Sequence, residues 1–168
     1  MIKRFYFVFL CALIAAFANA QTDSLRTAPA QDSVRVKKDT LLGSIKIIIK
    51  GCRTTGGKAL VALYNKSNGF MKKEPLRNAS EIIKSNQLTV QFDSLGKGNY
   101  AVAIIHDENG NGILDKNDMG IPVEGYGFSN DARGTFGPPE FKDAKFWFAG
   151  QNKTMVINMV YTNAGKTK

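Results

Sequence analysis

From Leu42 onward the chain alternates apolar and polar side chains in short runs, the period-two pattern of strands with one buried face. In Leu42 to Lys50, Ile45, Ile47 and Ile49 share one face, and Ser44, Lys46, Ile48 and Lys50 the other. β-Branched residues dominate this run and suit a half-buried pleated surface. After a Thr54-Thr55-Gly56-Gly57 turn, Ala59, Val61 and Leu63 alternate within Lys58 to Tyr64. Leu88, Val90 and Phe92 alternate with Thr89 and Gln91 in the next strand. In Tyr100 to His106, Tyr100, Val102, Ile104 and His106 point opposite to Ala101, Ala103 and Ile105. Ala144 to Ala149 and Thr154 to Tyr161 predict a fifth and a sixth strand. Ser80 to Lys84 reads as one helical turn or as a short edge strand. The pattern predicts an all-β antiparallel β-sandwich with a long irregular loop, Met119 to Lys145, after the fourth strand.

One polar stretch interrupts this pattern. His106-Asp107-Glu108-Asn109-Gly110-Asn111-Gly112-Ile113-Leu114-Asp115-Lys116-Asn117-Asp118 follows the most apolar strand directly. Calcium takes six to eight oxygen ligands, and an EF-type loop supplies them at fixed positions around a sharp glycine turn. With Asp107 as position one, Asn109 is three, Asn111 five, Gly112 six, Ile113 seven through its carbonyl, Asp115 nine and Asp118 twelve. Asp118 replaces the usual Glu, which shortens the last ligand by a methylene. The run is similar to dockerin-type calcium loops, which also end in Asp, and to calcium loops of surface-adhesin B repeats. The competing reading is a metal-free hairpin turn, because Asn-Gly pairs tolerate positive φ. Calcium bound here would be structural, since no catalytic partner is evident.

Composition adds an address. Lys3 and Arg4, an apolar run from Phe5 to Phe17 and Ala18-Asn19-Ala20 predict a cleaved signal peptide over residues 1–20. The expected organisation continues with a flexible polar tether at 21–40, the sandwich at 41–162 and a polar tail at 163–168. The exported product would sit in the periplasm or outside the cell, with no transmembrane segment after cleavage. Cleavage removes Cys11, leaving Cys52 without a disulfide partner. It also lowers the net charge from +9 to +7. The Lys and Arg residues are scattered, and with the export address this argues against nucleic acid.

The chemistry of catalysis is thinly represented. No phosphate-binding glycine loop and no nucleophile elbow appear. His106 is the only histidine, which is poor support for catalytic zinc. A periplasmic enzyme would need His106 to work with Glu124, Asp131 or Glu140 as a general base. The reading adopted is non-catalytic: a binding or accessory module of the cell envelope. As an alternative, an adhesin-like module would bind glycan or an envelope protein through His106, Glu124, Tyr126, Phe128 and Trp147. The aromatics of the long loop would otherwise only cover the open end of the core.

Two resemblances follow. Leu95-Gly96-Lys97-Gly98-Asn99-Tyr100 resembles the turn of adhesin B-type and transthyretin-like sandwiches, with Gly96 where Pro often stands. It implies an immunoglobulin-like or transthyretin-like sandwich whose tyrosine hydroxyl caps a corner. Gly98-Asn99-Tyr100-Ala101-Val102-Ala103, His106 to Gly112 with Leu114-Asp115, and Gly120 to Asn130 together resemble the family designated domain of unknown function 2141. That resemblance spans roughly residues 42 to 161. It implies an exported bacterial β-sandwich and brings no activity with it.

Overall fold

The computed structural model describes residues 41–162. The signal peptide, the tether and the tail expected at 1–20, 21–40 and 163–168 lie outside the described residues. Among the described residues eight strands form: β1 (Gly43–Lys50), β2 (Lys58–Tyr64), β3 (Arg77–Ile82), β4 (Gln87–Leu95), β5 (Gly98–Asp107), β6 (Gly125–Phe128), β7 (Phe146–Phe148) and β8 (Lys153–Asn158). A 3₁₀ turn at Ser129–Asp131 and one helical turn, α1 (Phe141–Ala144), complete the list of elements.

The strands make two sheets, β4-β1-β8 and β3-β2-β5-β6, with β7 pairing the start of β5. All pairs are antiparallel except β1 with β8. The side chains between the sheets are those the alternation marks: Ile45, Ile47 and Ile49, then Val61, Leu63, Val90, Val102 and Ile104. Ile157 of β8 closes this core. Tyr100 packs edge-on to Phe148 and donates its hydroxyl to the Gly96 carbonyl at 2.8 Å, the corner bond the turn implies. Cys52 is buried, and burial pushes its thiol pKa up, so the sulfur behaves as a small apolar group.

The other face of β5 is also covered. Ala101 and Ala103 meet Tyr64, Phe70, Phe128 and Ala144 in a second apolar cluster. The segment that follows β6 crosses this face. Ser129, wholly buried, accepts the Val102 N–H at 2.8 Å and donates to the Ala144 carbonyl at 2.6 Å. Phe141 packs edge-on to Phe70 at 5.7 Å. Part of the long loop therefore serves the scaffold, and within it β6 pairs with β5 from Ala103↔Phe128 to His106↔Gly125. The ambiguous Ser80 region resolves as edge strand β3, paired with β2. The last strand stops at Asn158; Val160 rejoins only as an isolated bridge to Tyr126.

Candidate metal loop and adjoining groove

β5 ends inside the protein, with His106 and Asp107 both buried. The chain then turns out through Asn109-Gly110-Asn111-Gly112, where both glycines lie at φ +82°. A Cβ at either glycine would meet open space, so the backbone angle alone demands glycine there. Asp107 directs the turn. Its Oδ1 accepts the Gly110 and Asn111 N–H groups at 2.8 and 3.1 Å, and its Oδ2 accepts that of Gly112 at 3.0 Å. Asn109 and Asn111 each fold an amide oxygen onto a backbone N–H two residues on, at 3.0 Å. Their Nδ2 atoms converge on Asp115, Asn109 at 2.5 Å and Asn111 at 3.0 Å from both carboxylate oxygens. Positions three and five thus meet position nine through their Nδ2 groups, while their Oδ1 atoms are turned onto the backbone, and position one is tied to them through the turn's N–H groups.

The remaining expected ligands sit less closely. Ile113 is exposed and offers only its carbonyl. Asp118 is exposed and makes no hydrogen bond or ion pair among the described residues. No three His, Cys, Asp or Glu side chains converge among the described residues, so a cation here would draw on amide and carbonyl oxygens as well. That donor set is all oxygen, and the amide oxygen of each asparagine keeps a lone pair beyond the one its N–H partner uses. The chemistry suits a hard cation such as calcium.

Glu124 is a strut. It is buried, and its two oxygens accept the N–H groups of Glu108 at 2.8 Å and Asp115 at 3.1 Å, one near each end of the turn. Behind it lies a polar chain that reaches His106. Tyr161 Oη accepts the Arg53 N–H at 3.1 Å and lies 2.7 Å from His106 Nδ1, to which it donates in the neutral tautomer that the Gly56 carbonyl selects at the other ring nitrogen. The other ring nitrogen, Nε2, then carries the imidazole hydrogen and donates to the Gly56 carbonyl at 3.2 Å. Burial pushes the Tyr161 phenol up from 10.0 to about 12, against the pull of the Arg53 N–H. The Arg53 guanidinium stacks 4.7 Å from the Tyr161 ring and reaches Glu108 Oε2 and the Val123 carbonyl, both at 3.0 Å. Glu108 Oε1 also lies 2.9 Å from Arg53 Nη2 but off the N–H direction, so it forms an ion pair without a hydrogen bond.

His106 therefore has no solvent-facing nitrogen. None of the three carboxylates that an acid–base role would require is its partner. Glu124 serves the turn, Asp131 binds Asn158 at 2.8 Å, and Glu140 caps α1. Tyr161 and Arg53 were beyond sequence reasoning because every hydrogen-bond partner of theirs in this network lies at least fifty positions away, and Glu108 because its Arg53 partner lies fifty-five positions back.

A groove of about 480 Å³ adjoins the loop. Its lining comes from segment 114–122, from Tyr126 and Phe128 of β6, and from segment 134–139. Segment 115–123 is a small hairpin: Val123 donates to Asp115 and Asn117 to Ile121, both at 2.9 Å. Asp115 thus belongs to the loop focus and to the hairpin that borders the groove. Of the five side chains singled out for binding, Tyr126 and Phe128 line the groove, whereas His106 and Glu124 are held in the network. Trp147 is exposed on β7, outside the groove lining.

Compared with known proteins, residues 47–156 match the family model described as an uncharacterized protein conserved in bacteria, DUF2141. No curated protein and no solved structure matches.

Proposed function

We propose that this chain, which belongs to the bacterial family DUF2141, is an exported, non-catalytic envelope module whose 107–118 loop holds a structural calcium ion. The observation that supports it most is that one turn gathers Asp107, Asn109, Asn111 and Asp115, with Asp107 accepting three of its N–H groups; a bound cation would take the place of the Nδ2 hydrogens that now face Asp115. Asp107, Asn109, Asn111, the Ile113 carbonyl and Asp115 would hold the ion, and the exposed Asp118 would close the set from the solvent side. Calcium would supply a charge that neutralises two carboxylates and fixes the loop against the sandwich. The chain's own residues carry the rest: Glu124 holds the turn's ends, and Arg53 and Tyr161 brace it from below.

The loop aromatics support a binding role beside the structural one, because Tyr126 and Phe128 open onto the groove rather than into the core alone. The test is thermal unfolding of the chain from residue 21 onward, in chelator and in calcium up to about 10 mM, above the weak end of extracellular sites. The melting temperature is expected to rise with calcium in the wild type and to stay flat in Asp115→Ala. A wild-type curve indifferent to calcium would remove the ion from the reading.

A further inference from the structure

We infer that the groove beside the loop takes the hydrocarbon chain of a free fatty acid, with the carboxylate at Lys116. This rests on the binding-module reading and names its ligand.

The lining decides the class. Met71, Leu114, Met119, Ile121, Tyr126 and Phe128 are apolar or aromatic, and three prolines join them. Among the described residues, no carboxylate or carboxamide side chain lines the groove. A sugar needs several such groups converging on its hydroxyls, so a glycan fits poorly. A peptide added as a strand needs a free sheet edge. Tyr126 of β6 is paired on both sides, to Ile105 of β5 and to Val160, which gives and takes N–H bonds at 2.7 and 3.0 Å. An apolar chain needs neither.

Charge supplies the head group. Among the described residues Lys116 is the one formally charged residue in the lining; it is exposed and makes no ion pair there. An anion is its complement. The volume, about 480 Å³, falls in the usual range for small-molecule sites and suits one chain rather than the two of a phospholipid. The rim also lacks a partner. Phe136 is fully exposed at 103 % and Met119 is 78 % exposed, yet both border the groove. No backbone–backbone hydrogen bond ties residues 134–139 among the described residues.

The experiment is a fluorescence titration of the folded chain with dansyl-undecanoate, displaced by dodecanoate and, separately, by dodecanol. Saturable one-to-one binding is expected. Ile121→Asp and Phe136→Asp put a carboxylate where the chain would lie, and each should weaken binding at least about tenfold. Lys116→Glu should weaken dodecanoate about fivefold or more and leave dodecanol unchanged. All three positions are at the surface, and an unchanged melting temperature verifies the fold. The inference fails if uptake never saturates, if Ile121→Asp binds like the wild type, or if Lys116→Glu affects acid and alcohol alike. It also fails if the chain is retained by anionic phospholipid vesicles and ignores dodecanoate. Each titration is run with and without calcium. Dodecanoate binding with no calcium-dependent melting would sink the metal reading alone, and the converse would sink the fatty-acid inference alone.

Discussion

At the scale of single residues, the loop is governed by two buried carboxylates with different visibility. Asp107 is legible because its partners are the Asn-Gly pairs that follow it at once. Glu124 is not, because its partners Glu108 and Asp115 lie sixteen and nine positions back, and nothing in a linear pattern marks a carboxylate as an acceptor for them. Glu124→Gln keeps the shape but sets an NH₂ group against one backbone N–H. It is expected to cost about 1–3 kcal/mol in urea unfolding, the usual penalty for a buried donor left unpaired. A near-neutral result would mean that the two N–H groups find water instead. Tyr161 makes a pH-dependent contribution of known sign. Its folded pKa of about 12 lies above the ordinary 10.0, so the folded state holds the proton more tightly. The associated stability is complete below pH 10 and disappears as pH rises toward about 12. Tyr161→Phe removes this titration. The wild type is therefore expected to lose stability more steeply than the variant across that window, measured by chemical unfolding at stepped pH.

At the scale of elements, alternation reads faces well and directions not at all. The inter-sheet faces of β1, β2 and β4 are those the sequence marks, since burial mainly on one side forces a period of two, and β5 keeps the same alternation although both its faces are covered. The same alternation serves a parallel and an antiparallel neighbour equally, so the parallel pairing of β8 with β1 left no trace in it. β6 escaped for another reason. Gly125-Tyr126-Gly127-Phe128 carries glycine on one face, which looks like loop, yet those glycines make room for a neighbour. A Cβ on Gly125 would overlap the Tyr161 ring, whereas one on Gly112 would touch nothing. Gly125→Ala is thus expected to destabilise by about 1–3 kcal/mol through overpacking and to disturb the Tyr161–His106 bond. That disturbance should appear as a shifted His106 imidazole resonance. If the variant keeps both the wild-type melting point and the wild-type resonance, β6 does not pack as described.

At the scale of the molecule, the question is how much the proposed calcium ion would add to a fold with a continuous core and no cystine among its described residues. The sandwich already buries a continuous apolar layer, so a bound calcium ion would add to a native state rather than create it, unlike zinc in a zinc finger. Its contribution follows from mass action: binding only the folded form adds RT ln(1 + [Ca]/Kd). Extracellular modules hold calcium with Kd on the order of 10⁻⁴–10⁻³ M. At about 1 mM calcium this gives roughly 0.4–1.4 kcal/mol. For a domain of this size such a gain raises the melting temperature by only about 1–7 °C. The expected signature is therefore a shallow rise, continuing logarithmically into the millimolar range, rather than rescue of an unfolded chain. A steep transition from unfolded to folded at micromolar calcium would place the ion in the folding core and overturn the structural-brace reading. A rise that persists in Asp115→Ala would move the ion to some other part of the surface.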